Sequence, residues 1–268
     1  MAVIADLIRN PVRRLLPLFA FVCVAAFAQS LQPVPKLTAH VVDQTGTLDA
    51  FQEKNLEDKL MAFLGRFIGD LGATMAAGNV VVGHNLGLYK ALAGGSATPE
   101  ELAHRTGTDQ RYITEWLRGQ AAGGYVEYDG EKYSLSEEQA FALANPDGGV
   151  YAPGAFVLAL GALRAEPRIT EAFRSGGGVG WHEQDTDVFV GCELFFRPGY
   201  VANLVASWLP ALDGVVDKLQ AGGSVADIGC GLGASTVLMA TEYPQARLSG
   251  FDYHDKSVEL ARKRAADA

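Results

Sequence analysis

The run from Ser224 to Asp252 restricts the fold more than any other part of this 268-residue chain. Ser224-Val-Ala-Asp-Ile228 reads as a strand, Gly229-Cys-Gly-Leu-Gly233 as a tight turn, and Ala234 to Glu242 as a helix stopped ahead of Pro244. A second strand, Ala246-Arg-Leu-Ser-Gly-Phe251, ends in Asp252, and a second helix starts near Ser257. The order β-α-β-α predicts two parallel strands joined by a crossover helix. The glycines let a ligand lie against bare backbone, and the free N–H groups at the start of the first helix face an anionic group. Asp252 lies 19 residues beyond Gly233. At the end of the second strand its carboxylate is placed to accept hydrogen bonds from both hydroxyls of a ribose. Together these features point to a nucleoside.

Gly229-Cys-Gly-Leu-Gly-Ala234 also satisfies the dinucleotide pattern G-x-G-x-x-A, so two cofactors compete. Asp227 separates them. Dinucleotide sites carry an apolar residue two before the first glycine, whereas an acid there suits a ligand with an ammonium group nearby. S-adenosylmethionine has that group, has no phosphates, and has a carboxylate for the helix N-terminus; it is favoured over NAD. The candidate cofactor-binding residues on this reading are Asp227, Gly229, Gly231, Gly233 and Asp252.

Residues 98–135 hold a second pattern. Thr98-Pro-Glu-Glu101 opens a helix with Thr98 as N-cap, Pro99 in the first turn and Glu101 completing a capping box. Gly107 stops it. A further helix from about Asp109 carries Tyr112, Ile113, Trp116 and Leu117 on one face and ends at Gly123-Gly124. Two short strands then flank Asp129-Gly130, a pair suited to a type I′ hairpin. Helix, turn, helix, hairpin is a winged helix. Its charges argue against DNA: Asp109 and Glu115 offset Arg111 and Arg118, and Lys132 is outnumbered by Glu127, Asp129 and Glu131. A dimerisation or lid role is the alternative favoured here.

Ahead of that module, Leu56, Leu60, Phe63, Leu64, Phe67, Ile68 and Leu71 recur at helical spacing, and predict an amphipathic helix used in a core or a subunit contact. Residues 137–220 read as mostly helical. Within them the loop from Arg174 to Glu183 carries four glycines followed by Trp181 and His182, which are placed to flank a small molecule. The neighbouring pair Phe195 and Phe196 reads as core in preference to pocket lining.

Composition bounds the partners. The formal net charge is −9, from 22 basic and 31 acidic residues, which disfavours general nucleic-acid binding. Residues 1–40 carry +3, so the rest of the chain stands at −12. Arg9, Arg13 and Arg14 precede an apolar run, Leu15 to Ala28, that ends Ala-Phe-Ala. This is the outline of a secretory signal peptide or else an upstream extension; the run is too short for a permanent membrane anchor. Cys23, Cys192 and Cys230 form no C-x-x-C pair and the five histidines show no ligand spacing, so no metal is assigned.

Val225-Ala-Asp-Ile-Gly-Cys-Gly-Leu-Gly-Ala-Ser-Thr236 resembles motif I of class I S-adenosylmethionine-dependent methyltransferases, and Gly250-Phe-Asp-Tyr-His254 resembles the acidic motif that follows it. With the winged helix, Gly176-Gly-Gly-Val-Gly-Trp-His182 and Trp208-Leu-Pro-Ala-Leu-Asp-Gly-Val-Val216, the chain from about Thr47 onward is similar to a bacterial group of methyltransferases often labelled transcriptional regulators. The resemblance implies a mainly α N-terminal winged-helix domain followed by the start of an α/β Rossmann-like methyltransferase domain. It divides the chain into a leader at 1–40, a winged-helix and dimerisation domain at 41–140, a helical linker and lid at 141–220, and a cofactor domain at 221–268. It implies that Tyr253 and His254 lie beside the adenosine, and that the chain works in the cytoplasm as a homodimer on a small-molecule methyl acceptor. The two strands are fewer than the seven of such domains. That difference leads us to expect a truncated domain, weak cofactor binding and no nameable catalytic base. The other functional class is a winged-helix regulator that senses S-adenosylmethionine without transferring its methyl group.

Overall fold

The computed structural model describes residues 41, 43 and 46–268. The expected leader over residues 1–40 lies outside them. The chain divides into two compact units, one ending at Arg66 and one running from Phe67 to Ala268.

In the first unit the Asp43 carboxylate accepts the N–H groups of Gly46 and Leu48 at 3.1 and 2.7 Å. Asp49 and Gln52 then cap the start of helix α1 (Ala50–Asn85) reciprocally, each side chain accepting the other's N–H, at 2.8 and 3.0 Å.

In the second unit the winged helix assembles from α2 (Leu88–Ala93), α3 (Pro99–Thr106), α4 (Gln110–Ala122), β1 (Glu127–Tyr128) and β2 (Tyr133–Ser134). The Thr98–Glu101 capping box forms, Gly107 closes α3 in the left-handed region at φ 64°, and Asp109 caps α4. Leu88, Leu92, Leu102, Ile113, Leu117 and Val126 make its core. Two polar groups inside it are satisfied: Tyr89 Oη donates to Gln120 Oε1 at 2.6 Å, and Trp116 Nε1 to the Asn79 carbonyl at 2.8 Å. Tyr112, expected on the buried face of α4, is exposed instead.

The hairpin turn differs from the expected type I′. Its central pair lies one residue on, at Gly130-Glu131, because Asp129 N–H donates to the Lys132 carbonyl at 3.2 Å. A type I′ turn requires positive φ at both central residues, and only Gly130, at 104°, has one. The Asp129 carboxylate instead accepts the N–H groups of Glu131 and Lys132.

Helix α5 (Glu137–Leu143) follows, so the expected domain boundary at residue 140 falls inside a helix. Helices α6 (Ala152–Leu163), α7 (Glu166–Ser175) and α8 (Thr186–Asn203) come next. Helices α6 and α8 run antiparallel with their backbones in contact. A Cβ on Gly154 would sit 2.6 Å from Phe195 N, and one on Gly191 would sit 2.2 Å from Leu158 N. Helix α8 ends in a π-turn over Leu204–Trp208, closed by Leu209 N–H on the Leu204 carbonyl. Phe195 and Phe196, read as core, are 42% and 50% exposed, because α8 spends its closest face on the glycines of α6.

The last part is α9 (Val215–Gln220), β3 (Ser224–Ile228), α10 (Ala234–Glu242), β4 (Arg247–Phe251) and α11 (Asp255–Asp267). β3 and β4 pair in parallel from Ser224↔Arg247 to Ile228↔Phe251. Leu209, Leu219, Met239 and Tyr243 form a second core against this pair. Ile228 is 78% exposed.

Candidate cofactor site

The carbonyl of Phe251, at the end of β4, accepts the N–H groups of Gly229 and Cys230 at 2.7 and 3.0 Å, which docks the start of the glycine turn on its neighbour strand. Gly229, Gly231 and Gly233 all have positive φ, at 77°, 54° and 77°. Each position suits glycine, since other residues pay strain there. Their surroundings differ. A Cβ on Gly229 or Gly231 would meet nothing within 4 Å, whereas one on Gly233 would press Ala261 Cβ at 3.0 Å. The first two leave room for a ligand, and the third lets α11 pack.

Both carboxylates found by motif face the same cleft. Asp227 Oδ2 accepts Ser235 Oγ at 2.8 Å and Thr236 Oγ1 at 2.6 Å, so the first turn of α10 fixes its orientation. Asp252 Oδ2 accepts Gly231 N–H and its Oδ1 accepts His254 N–H, each at 2.9 Å. A carboxylate has about four acceptor positions, so each keeps capacity for a ligand. The cleft measures about 280 Å³ and is lined by Asp227, Gly229, Gly231 and Asp252 on one side and by Trp181, Phe189, Phe196 and Tyr200 on the other. Burial, followed by the charges of Asp227 and Asp252, raises the Cys230 thiol above its ordinary pKa. Burial raises Cys192, which lines the same cleft from α8. Among the described residues no group of three His, Cys, Asp or Glu side chains is arranged to hold a metal.

The remaining expected site residues sit differently. Gly233 caps α10, outside the lining. The His254 ring stacks on Phe189 at 4.0 Å between centroids, with Nδ1 2.8 Å from the buried Ser257 Oγ; it braces α8 against the end of β4. Tyr253 is 64% exposed and meets His182 edge-on at 6.0 Å. Trp181, in the glycine-rich loop, does reach the cleft, edge-on to Phe189 at 5.2 Å. Sequence reasoning missed Ser235 and Thr236 as holders of Asp227, although two hydroxyls directly after a glycine turn were a legible signal. It also missed Phe189, Cys192, Glu193, Phe196 and Tyr200, whose helical spacing on α8 brings them to one face of the cleft.

An open glycine turn with an acid at the end of each of two parallel strands fits an adenosyl amino acid. Gly229 and Gly231 leave space for its chain, Asp252 has acceptors for ribose hydroxyls, and Asp227 has one for an ammonium. Fold and site thus resemble a winged helix that continues into the start of a methyltransferase domain of the class I, Rossmann-like type. Residues 74–145 match the family described as Rv2258c-like winged HTH domain, and residues 219–268 match a methyltransferase domain family.

Over 44 residues the chain is 48% identical to a trans-aconitate 2-methyltransferase of Afipia carboxidovorans, a stretch that is 16% of this chain and 17% of that protein. Among solved structures it resembles human N-acetylserotonin methyltransferase in complex with SAM, with a TM-score of 0.52 and 18% identity over 75% of this chain and 62% of that one. It also resembles the mitomycin 7-O-methyltransferase MmcR, with a TM-score of 0.51 and 19% identity over 78% and 64%. The chain therefore spans less than two thirds of the length of these relatives. At these identities the likeness is one of fold.

Proposed function

We propose that this chain acts in S-adenosylmethionine-dependent methyl transfer to a small-molecule acceptor, as a homodimer in the cytoplasm and without a nucleic-acid partner. The observation that carries this reading is the pair Asp227 and Asp252, at the ends of adjacent parallel strands across an open glycine turn. Bound there, S-adenosylmethionine would supply a methyl group activated by a sulfonium. The chain's own contribution is binding and orientation. Asp252 holds the ribose, Asp227 attracts the ammonium, and the N-terminus of α10 faces the carboxylate. The aromatic wall from α8 and Trp181 shields the reacting end from water and offers a surface for the acceptor.

The winged helix supports the enzyme over the regulator. Lys132, the wing's one cation, is 3.0 Å from Glu101, and Arg118 is 3.4 Å from Glu115. Arg105 Nη1 and Nη2 donate to the carbonyls of Gly95 and Ser96. Acids thus sit beside these cations, and the module lacks the unopposed basic stripe that phosphate contacts need.

Ligand-observed NMR titration tests the cofactor role. We expect S-adenosylhomocysteine to bind with a dissociation constant of about 0.1–1 mM, or roughly 4–5.5 kcal/mol, because the sheet face at Ile228 and Phe251 is open and leaves the site weakly preorganised. Asp252→Ala should weaken that binding by at least about tenfold, the scale of one hydrogen bond to a charged group. Unchanged binding in the variant refutes the ribose role, and equal binding of NAD refutes the choice of cofactor.

A further inference from the structure

Glu193 lies on α8, in the wall of the cleft opposite Asp227, and its side chain is only 13% exposed. Carboxylates are rarely buried to that extent unless paired. Its partner is Arg264, from α11, whose Nη2 lies 2.9 Å from Glu193 Oε1. The other arm of the same guanidinium, Nη1, donates to the Leu232 carbonyl at 2.9 Å, between Gly231 and Gly233. One arginine therefore ties the helical wall to the glycine turn, next to the N-terminus of α10.

Glu193 Oε1 is shielded from solvent and, although ion-paired, has no aligned hydrogen-bond donor among the described residues. Arg197 Nε stands 3.7 Å away, and its Nη1 is engaged by Asp147. A carboxylate that lines a cleft with acceptor capacity unfilled is suited to a ligand ammonium. An acid and a guanidinium side by side at a helix N-terminus match a zwitterion: the acid takes the ammonium, while the guanidinium and the helix N–H groups take the carboxylate.

We infer that Glu193, held by Arg264, is a specificity-determining residue that reads the α-amino-acid end of the ligand, with Asp227 on the opposite wall. The inference rests on the cofactor reading above and assigns the recognition of one end of that ligand. Asp252 governs the nucleoside end. Glu193 makes the site discriminate between ligands that share the nucleoside and differ in the amino acid.

The test compares S-adenosylhomocysteine, its analogue lacking the amino group, and methylthioadenosine, which keeps the adenosyl thioether but has no amino-acid end. In NMR titrations of the unaltered chain, S-adenosylhomocysteine should bind about tenfold more tightly than its deamino analogue, the scale of one charged hydrogen bond. Glu193→Gln should cut that preference severalfold, leaving only the share due to Asp227, and leave methylthioadenosine affinity within about twofold of the unaltered chain. Methylthioadenosine is thus the control for folding, and the deamino analogue tests the idea without any substitution. If Glu193→Gln weakens all three ligands alike, Glu193 is structural and the inference fails while the cofactor reading stands; if the unaltered chain binds the deamino analogue as well as S-adenosylhomocysteine, the inference fails together with the role of Asp227 toward the ammonium, and the ribose role of Asp252 stands. If the unaltered chain binds none of the three, the cofactor reading fails and this inference with it.

Discussion

His84 shows how burial sets the behaviour of a single residue. It is half-buried near the end of α1, and the hydroxyl of buried Tyr151 lies 2.6 Å from its Nδ1. Burial holds the His84 pKa below its ordinary value and raises that of Tyr151. The phenol therefore stays protonated and shares a hydrogen bond with a neutral imidazole. In the unfolded chain the imidazole protonates as the pH falls through about 6.5, whereas in the folded chain it resists until lower pH. The unfolded state then binds more protons. Stability from this site is complete above the ordinary histidine pKa, declines as the pH falls below it, and is fully lost below the depressed folded value. Thermal midpoints measured from about pH 7.5 down to pH 5.5 should fall more steeply for the unaltered chain than for His84→Asn. Equal slopes would mean that the imidazole titrates alike in the folded and unfolded chains.

At the scale of elements, the contact of α6 with α8 depends on glycines whose replacements have unequal consequences. Gly191→Ala would put a Cβ 2.2 Å from Leu158 N and 2.6 Å from its Cα, both backbone atoms that cannot rotate away. We expect a loss of about 1–3 kcal/mol, the usual range for overpacking. Gly119→Ala, on the exposed side of α4, would meet only Asn79 Nδ2 at 3.6 Å and should gain roughly 0.5–1 kcal/mol from helix propensity. Urea unfolding of the two variants checks the contrast; a Gly191→Ala chain as stable as the parent would show that the two helices separate easily. The same elements mark how far the sequence could be read. The Thr98–Glu101 box, Asp109, Gly107 and the turn from Gly229 to Gly233 were legible because each acts through its own neighbours. The α8 wall was not, because Phe189, Glu193 and Phe196 become a site only where Gly154, Gly161 and Gly191 let two backbones meet. No local pattern encodes that distance. The turn at Gly130 failed for a smaller reason, since the Asp129 side chain captured the Glu131 N–H that the expected turn would donate to the Tyr128 carbonyl.

On the scale of the molecule, the long helix α1 presents more apolar surface than a monomer ordinarily carries. Within the second unit Phe67, Ile68, Leu71 and Met75 lie along it at three- and four-residue spacing and are all exposed, Ile68 and Met75 by about two thirds. Side chains at that spacing form one continuous stripe, and stripes of this kind on soluble chains mark contact surfaces. By length and composition α1, like the helix over Thr186–Trp208, is also apolar enough to cross a membrane, so the stripe has two chemically distinct uses. The spacing favours a second copy: α1 carries Glu53, Lys54, Glu57, Asp58 and Lys59 in its first turns and Asp70 within the stripe, and a span would have to carry Asp70 into the bilayer at a cost of a few kcal/mol. Light scattering should therefore give twice the 28.5 kDa chain mass. Ile68→Asp with Leu71→Asp should halve that mass while moving the monomer's own stability by only about 0.5 kcal/mol per site, because neither side chain is buried within the chain. A dimer that survives the double substitution would place the interface elsewhere, and flotation of the unaltered chain with liposomes would assign the stripe to lipid.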